Sequence, residues 1–131
     1  MKHTLILLFS GLCIAWSPVG AKSVAKTYSL TSPDARLECE ITLGESISFT
    51  LRDDRQKILA PSVVGMSLQN GENWGERPRL LRVRRHTSDE RIPSPLYKRS
   101  EVQDRYNELT FSFRDGYALT WRMYDDGLAG V

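Results

Sequence analysis

Cysteine and histidine are scarce in this chain of 131 residues, which carries only Cys13, Cys39, His3 and His86. Cys13 lies in an apolar leader, so Cys39 alone would remain after processing, and one thiol cannot close an internal disulfide. No Cys/His cluster has zinc spacing. No G-x-S-x-G elbow marks a serine nucleophile, and no phosphate-loop glycine pattern occurs. Charge of one sign is also missing: 18 basic residues face 16 acidic ones. A near-neutral balance argues against nucleic acid as a partner. Beyond the leader no segment holds a sustained 3.6-residue apolar stripe, which excludes a helical bundle or coiled coil.

The one long apolar run comes first. Residues 5 to 16 are almost all apolar, follow Lys2 and His3, and are broken by Pro18 and Gly20. A run of twelve is too short for a membrane span, which takes about 20 residues. With Val19-Gly20-Ala21 behind it, it reads as a secretory signal over residues 1–21, cut after Ala21. Export to the periplasm or the medium follows. Leu12 is bulky where lipoprotein processing at Cys13 wants a small residue.

Residues 22–131 alternate with a period of two. Leu37, Cys39, Ile41 and Leu43 face Ile47, Phe49 and Leu51 across Gly44-Glu45, which predicts a hairpin. Leu109, Phe111 and Phe113 face Tyr117, Leu119, Trp121 and Met123 across Asp115-Gly116, a strong turn signal. Ile58-Leu59 is a short apolar pair closed by Pro61; further strands are expected at Val63–Leu68 and at Leu81–Val83, with loops at Glu72–Pro78 and Thr87–Pro95. The sum is an all-β antiparallel sandwich. Phe113, Trp121 and Cys39 fall at inward positions and are expected in the core.

Chemistry-bearing residues are few. Arg79–His86 could bind an anion, but its apolar residues recur at strand period and suit a solvated sheet face. The acid pairs Asp53-Asp54, Asp89-Glu90 and Asp125-Asp126 are all expected in turns, with neighbours aimed apart. Paired carboxylates for glycoside hydrolysis are not identifiable. Trp74, in the loop Asn70–Glu76, is the candidate contact for a sugar ring or a partner.

Two stretches carry a resemblance. Tyr97-Lys98-Arg99-Ser100-Glu101-Val102-Gln103-Asp104-Arg105-Tyr106-Asn107-Glu108-Leu109-Thr110, followed by Arg122-Met123-Tyr124-Asp125-Asp126-Gly127-Leu128-Ala129, resembles the N-terminal domain of glycoside hydrolase family 97. Ser32-Pro33-Asp34 fits the opening of that domain. The resemblance implies a mutarotase-like supersandwich, here incomplete, from exported α-glucosidases and α-galactosidases. Their catalytic groups lie on a (β/α)₈ barrel, and a calcium ion is held by glutamates mostly from that barrel. No catalytic residue and no calcium ligand transfers to this sequence. Arg99, Tyr106, Asn107, Glu108, Asp125, Asp126 and Gly127 transfer only as structural or domain-packing residues, expected at strand ends and turns. The expected partner is an α-linked oligosaccharide or the catalytic barrel, with no membrane span. The expected role is non-catalytic, and the alternative is a stand-alone carbohydrate-binding module.

Overall fold

The computed structural model describes residues 24–95, 98 and 100–131. The leader read at 1–21, and Tyr97 and Arg99 of the first motif, lie outside the described residues.

The described chain is all strand, arranged as an antiparallel sandwich. One sheet has the order β1 (Lys26–Thr31), β2 (Leu37–Leu43), β3 (Ile47–Asp53), β4 (Gln56–Val64). A small hairpin follows, β5 (Met66–Ser67) with β6 (Asn73–Trp74). The second sheet has the order β10, β9, β8, β7, built from β7 (Leu80–Pro93), β8 (Glu101–Phe113), β9 (Ala118–Met123) and β10 (Leu128–Gly130).

The two hairpins with clean alternation supply the core. β2 is buried at every second residue, from Leu37 to Leu43. Leu109, Phe111 and Phe113 of β8 meet Trp121 and Met123 of β9 and the inner face of β2 and β3. Ile41, Leu109, Phe111 and Met123 are fully buried. Burying an aliphatic or aromatic side chain of this size contributes about 1.5–3 kcal/mol. Phe49 packs on Trp121 at 4.8 Å, and Tyr28 meets Phe111 edge-on at 5.0 Å. Cys39 sits among these side chains as a small apolar residue, and desolvation pushes its thiol up to about 12.

Polar contacts join the sheets along one side. The Arg85 guanidinium donates to the Ser29 carbonyl at 3.1 Å, and the Asn107 amide donates to the Thr31 carbonyl at 2.9 Å. These bonds hold β1 against β7 and β8.

Several expectations give way. Thr87–Pro93 is strand, not loop: it continues β7 and pairs residue for residue with Glu101–Asn107. Backbone pairing makes it a strand although neither face is apolar enough to show a period. The pair Asp89-Glu90 therefore lies on a strand and not in a turn. Leu81 does not face inward. A register shift between Leu80 and Arg82 turns it out, 61% exposed, while Leu80 and Val83 pack on the core. Ile58-Leu59 and Val63-Val64 are one strand, since Pro61 sits on β4, which lies at the sheet edge, where a missing N–H is tolerated. Lys26–Thr31 gave no sequence signal, because a sheet-edge strand buries only Leu30 fully.

β3 and β4 turn through Asp54-Arg55, with φ of 45° and 70°. Two positive φ angles in a two-residue hairpin loop match the twist of the strands.

Candidate functional site

Two places on the sandwich gather polar and aromatic side chains. The first is at the end of the sandwich where β6 leads into the strand pair β8–β9. Gly75 fixes it. Its φ is +98°, and a Cβ there would lie 2.5 Å from the Val64 carbonyl oxygen, so only glycine fits. The Gly75 carbonyl accepts the Ile47 N–H at 3.0 Å, and the Gly75 N–H donates to the Tyr117 hydroxyl at 3.1 Å. Arg77 N–H donates to the Glu45 carbonyl at 2.7 Å, and a bridge links Ser46 to Glu76. The segment's backbone is thus tied to β3 and to Tyr117 in the turn between β8 and β9.

Trp74 precedes this anchor and pairs with Met66. It is half-buried, not freely exposed on a loop. Its indole lies parallel to the Tyr117 ring, 9° apart with centroids at 5.1 Å, and Tyr117 in turn stacks on Phe113 at 4.5 Å. Burial pushes the Tyr117 phenol above its ordinary value. An apolar cleft of about 210 Å³ lies beside the stack, lined by Ile47, Val64, Met66, Trp74, Tyr117 and Leu119 among others. A polar hollow of about 290 Å³ lies against Trp74, lined by Glu72, Asn73 and Asp115. Arg79 pairs with Asp115 and, by hydrogen bonding to it, holds that carboxyl below the usual carboxylate range. Asn70 accepts the Glu72 N–H, and Leu68 and Glu72 close the tip through a 2.8 Å backbone bond.

The second place is the outer face of the β7–β8–β9 sheet, where the two motifs meet. Tyr106, Asn107 and Glu108 lie within β8 and not at its end, so the expectation of a strand end or cap is corrected. Register puts Glu108 opposite Arg122 and Asn107 opposite Met123. Because adjacent residues point to opposite faces, Tyr106 and Glu108 look outward while Asn107 reaches β1. Arg122 donates to Glu108 at 2.8 Å and lies over the Tyr106 ring at 4.6 Å. The ion pair pushes the guanidinium further up from its ordinary range. Tyr124 packs on Tyr106 at 5.4 Å, and His86 approaches it at 6.2 Å. Tyr106 ends 6% exposed on what would otherwise be an open face.

Asp125-Asp126-Gly127 does form a turn, closed by Tyr124 N–H donating to the Gly127 carbonyl at 2.8 Å. Asp125 also accepts the Asp34 N–H at 2.8 Å and pairs with Arg105 at 3.7 Å. Asp126 is exposed. The basic residues Arg82, Arg84 and Arg85 are exposed on β7, His86 with them.

Glu72 and Asp115 border one hollow, and Glu38 and Asp54 another; among the described residues no group of three His, Cys, Asp or Glu side chains could hold a metal ion. Among those residues no helix is long and apolar enough to cross a membrane. Sequence reasoning missed Tyr117, Arg79 and Asp115 as parts of the Trp74 neighbourhood. The one available signal was an aromatic directly behind the Asp115-Gly116 turn.

Comparison with known proteins fits this architecture. The family model for the glycosyl-hydrolase 97 N-terminal domain matches residues 30–129. A retaining alpha-galactosidase of Bacteroides thetaiotaomicron is 36% identical over 129 residues, which is 98% of this chain and 19% of that protein. A glycoside hydrolase family 97 enzyme of Pseudoalteromonas sp. strain K8, solved with acarbose, superposes with a TM-score of 0.70 at 18% identity, covering 79% of this chain and 17% of that one. A beta-arabinopyranosidase superposes at 0.66 with 21% identity, over 82% of this chain and 17% of the other. The fold is thus that of a non-helical sandwich carried at one end of larger carbohydrate-active enzymes. The chain belongs to the glycoside hydrolase family 97 N-terminal domain family. It spans about a fifth of the length of the relatives it matches.

Proposed function

We propose that this chain is the non-catalytic N-terminal sandwich of an exported family 97-like α-glycosidase, where it supports the catalytic barrel and shapes the substrate entrance. The observation that carries this reading is the match to the N-terminal domain along residues 30–129. The outer face built from Tyr106, Glu108, Arg122 and Tyr124 supports it. On that face the motif residues pack on one another, Arg122 bonded to Glu108 and laid over the Tyr106 ring, as structural rather than catalytic residues would. In this reading Asn107, Asp125 and Gly127 keep the neighbouring strand and turn in place.

Two measurements test the proposal. The purified chain is expected to release no sugar from aryl α-glucosides or α-galactosides, and measurable turnover overturns the non-catalytic assignment. Added in trans to a family 97 barrel expressed without its own sandwich, the chain is expected to raise soluble, active barrel. No rescue counts against the supporting role. Export is checked by N-terminal sequencing of protein recovered from the periplasm, which is expected to begin at Lys22.

A second reading, a carbohydrate-binding sandwich acting without a barrel, is favoured by the Trp74–Tyr117 stack.

A further inference from the structure

We infer that Trp74, with Glu72, Asn73 and Asp115, forms a subsite for one neutral pyranose ring on the sandwich itself. The inference deepens the second reading and is independent of any service to a barrel.

Four observations carry it. The first is the platform. A sugar ring presents C–H bonds on its faces and hydroxyls on its rim, so it binds to a flat aromatic with polar groups at the edge. Trp74 offers a half-buried indole backed on one side by Tyr117, and the polar hollow beside it is lined by Glu72, Asn73 and Asp115. The second is rigidity. Gly75 is locked by Tyr117 and Ile47, and the tip closes through Leu68, Asn70 and Glu72. A platform already held in place loses little conformational entropy when a ligand arrives.

The third is size. The hollow of about 290 Å³ sits at the lower edge of the range for small-ligand sites. One ring fits that volume, and a longer glycan would extend into solvent. The fourth is charge. Two carboxylates beside an indole could also suit a cation. Here Arg79 is paired with Asp115, which leaves Glu72 as the one uncompensated acid of the three lining polar groups. The carboxylates and the Asn73 amide then serve as acceptors for hydroxyl donors, and strongly anionic ligands are repelled.

The test is a titration of the 131-residue chain with methyl α-D-glucopyranoside and methyl α-D-galactopyranoside, followed by amide and indole N–H NMR shifts. Tetramethylammonium chloride is the cation arm. The expected result is saturable, millimolar-range shifts of the Trp74 indole and Gly75 amide with at least one sugar, and none with the cation. Trp74→Ala should bind about tenfold more weakly or not at all, while Trp74→Phe keeps part of the affinity. Should Trp74→Ala fail to fold, Glu72→Gln on the exposed tip gives the same information, because it should weaken binding with core resonances unmoved. No shift with either sugar, or equal binding by Trp74→Ala and Glu72→Gln, overturns the subsite. Binding of tetramethylammonium in preference to sugar overturns the ligand class. Barrel rescue in trans by the Trp74 variants would stay at the level of the unaltered chain, so failure here and failure of the supporting role are read separately.

Discussion

Asp125 takes the backbone N–H of Asp34 at 2.8 Å, joining two turns that lie 91 residues apart and belong to opposite sheets. Arg36 reinforces the link by donating to the Asp125 carbonyl at 2.9 Å. Asp125→Ala removes a charge-assisted acceptor at a partly exposed position. The expected loss is about 1 kcal/mol, read from the urea midpoint, and Asp125→Asn should recover most of it. Equal stability of Asp125→Ala and the parent would mean that the turns do not rely on this bond.

Gly75 and Gly116 provide a matched comparison. Both have positive φ, +98° and +84°, but a Cβ meets the Val64 carbonyl at the first and nothing within 4 Å at the second. Gly116→Ala should cost about 1 kcal/mol for the left-handed backbone alone. Gly75→Ala adds the clash and should cost clearly more, with loss of near-ultraviolet ellipticity from Trp74. Thermal unfolding of the pair measures the difference.

Arg55 permits a change of the opposite sign. It holds φ at 70° in a two-residue turn after Asp54, and glycine is the residue such turns prefer. Arg55→Gly is expected to stabilise by about 0.5 kcal/mol, since relief of strain outweighs the extra freedom of the unfolded chain. A lower urea midpoint would contradict the turn geometry.

Acid should weaken the fold through two carboxylates. The Ser32 hydroxyl and the Arg36 N–H hold Asp34 below its ordinary 3.8, and the Arg79 guanidinium does the same for Asp115. A depressed folded-state value stabilises above the unfolded value and loses that contribution as pH falls through the folded one. Stability is therefore expected to decline below about pH 4, and the decline should shrink in Asp115→Asn. Both groups are at the surface, so added salt should flatten the effect.

Cys39 sets the alkaline side. Its thiol is raised from 9.0 to about 12 by burial, so the contribution of the buried, neutral thiol is complete below pH 9 and is lost as pH rises toward 12. A thiol reagent at pH 8 is expected to leave native protein unmodified and to react at once after denaturation. Fast labelling of the folded chain would show that the core opens at β2.

The elements that announced themselves were those with one apolar face. Leu37–Leu43 and Ile47–Leu51 alternate because one side meets Phe111 and Met123, and the same holds for Leu109–Phe113 and Tyr117–Met123. Thr87–Pro93 was silent because its strand character comes from the ladder to Glu101–Asn107, and backbone hydrogen bonds leave no trace in side-chain pattern. The extra residue at Leu81 reversed the expected facing, which no period of two can foresee. At the candidate sites the aromatic Trp74 could be picked out, but Tyr117 and Asp115 arrive beside it only through the pairing of distant strands. Tyr106 and Glu108 read as turn residues for the same reason: their partner Arg122 is supplied by the neighbouring strand.

The β7–β8 pairing continues for six residue pairs past the last backbone pair with β9, from Ser88 with Tyr106 to Pro93 with Glu101. At about 3.4 Å per residue the ribbon reaches roughly 20 Å with no third strand beside it. Ile92 and Val102 pair across it, 46% and 42% exposed. Beyond Ser88 and Tyr106, which are buried, the ribbon has no packed face, and such a two-stranded ribbon has little local stability. Its amides should exchange with solvent orders of magnitude faster than those of Leu109 or Phe111 on the same strand. One continuous strand thus holds two thermodynamic regimes, and a protease should nick its outer half while the sandwich stays closed.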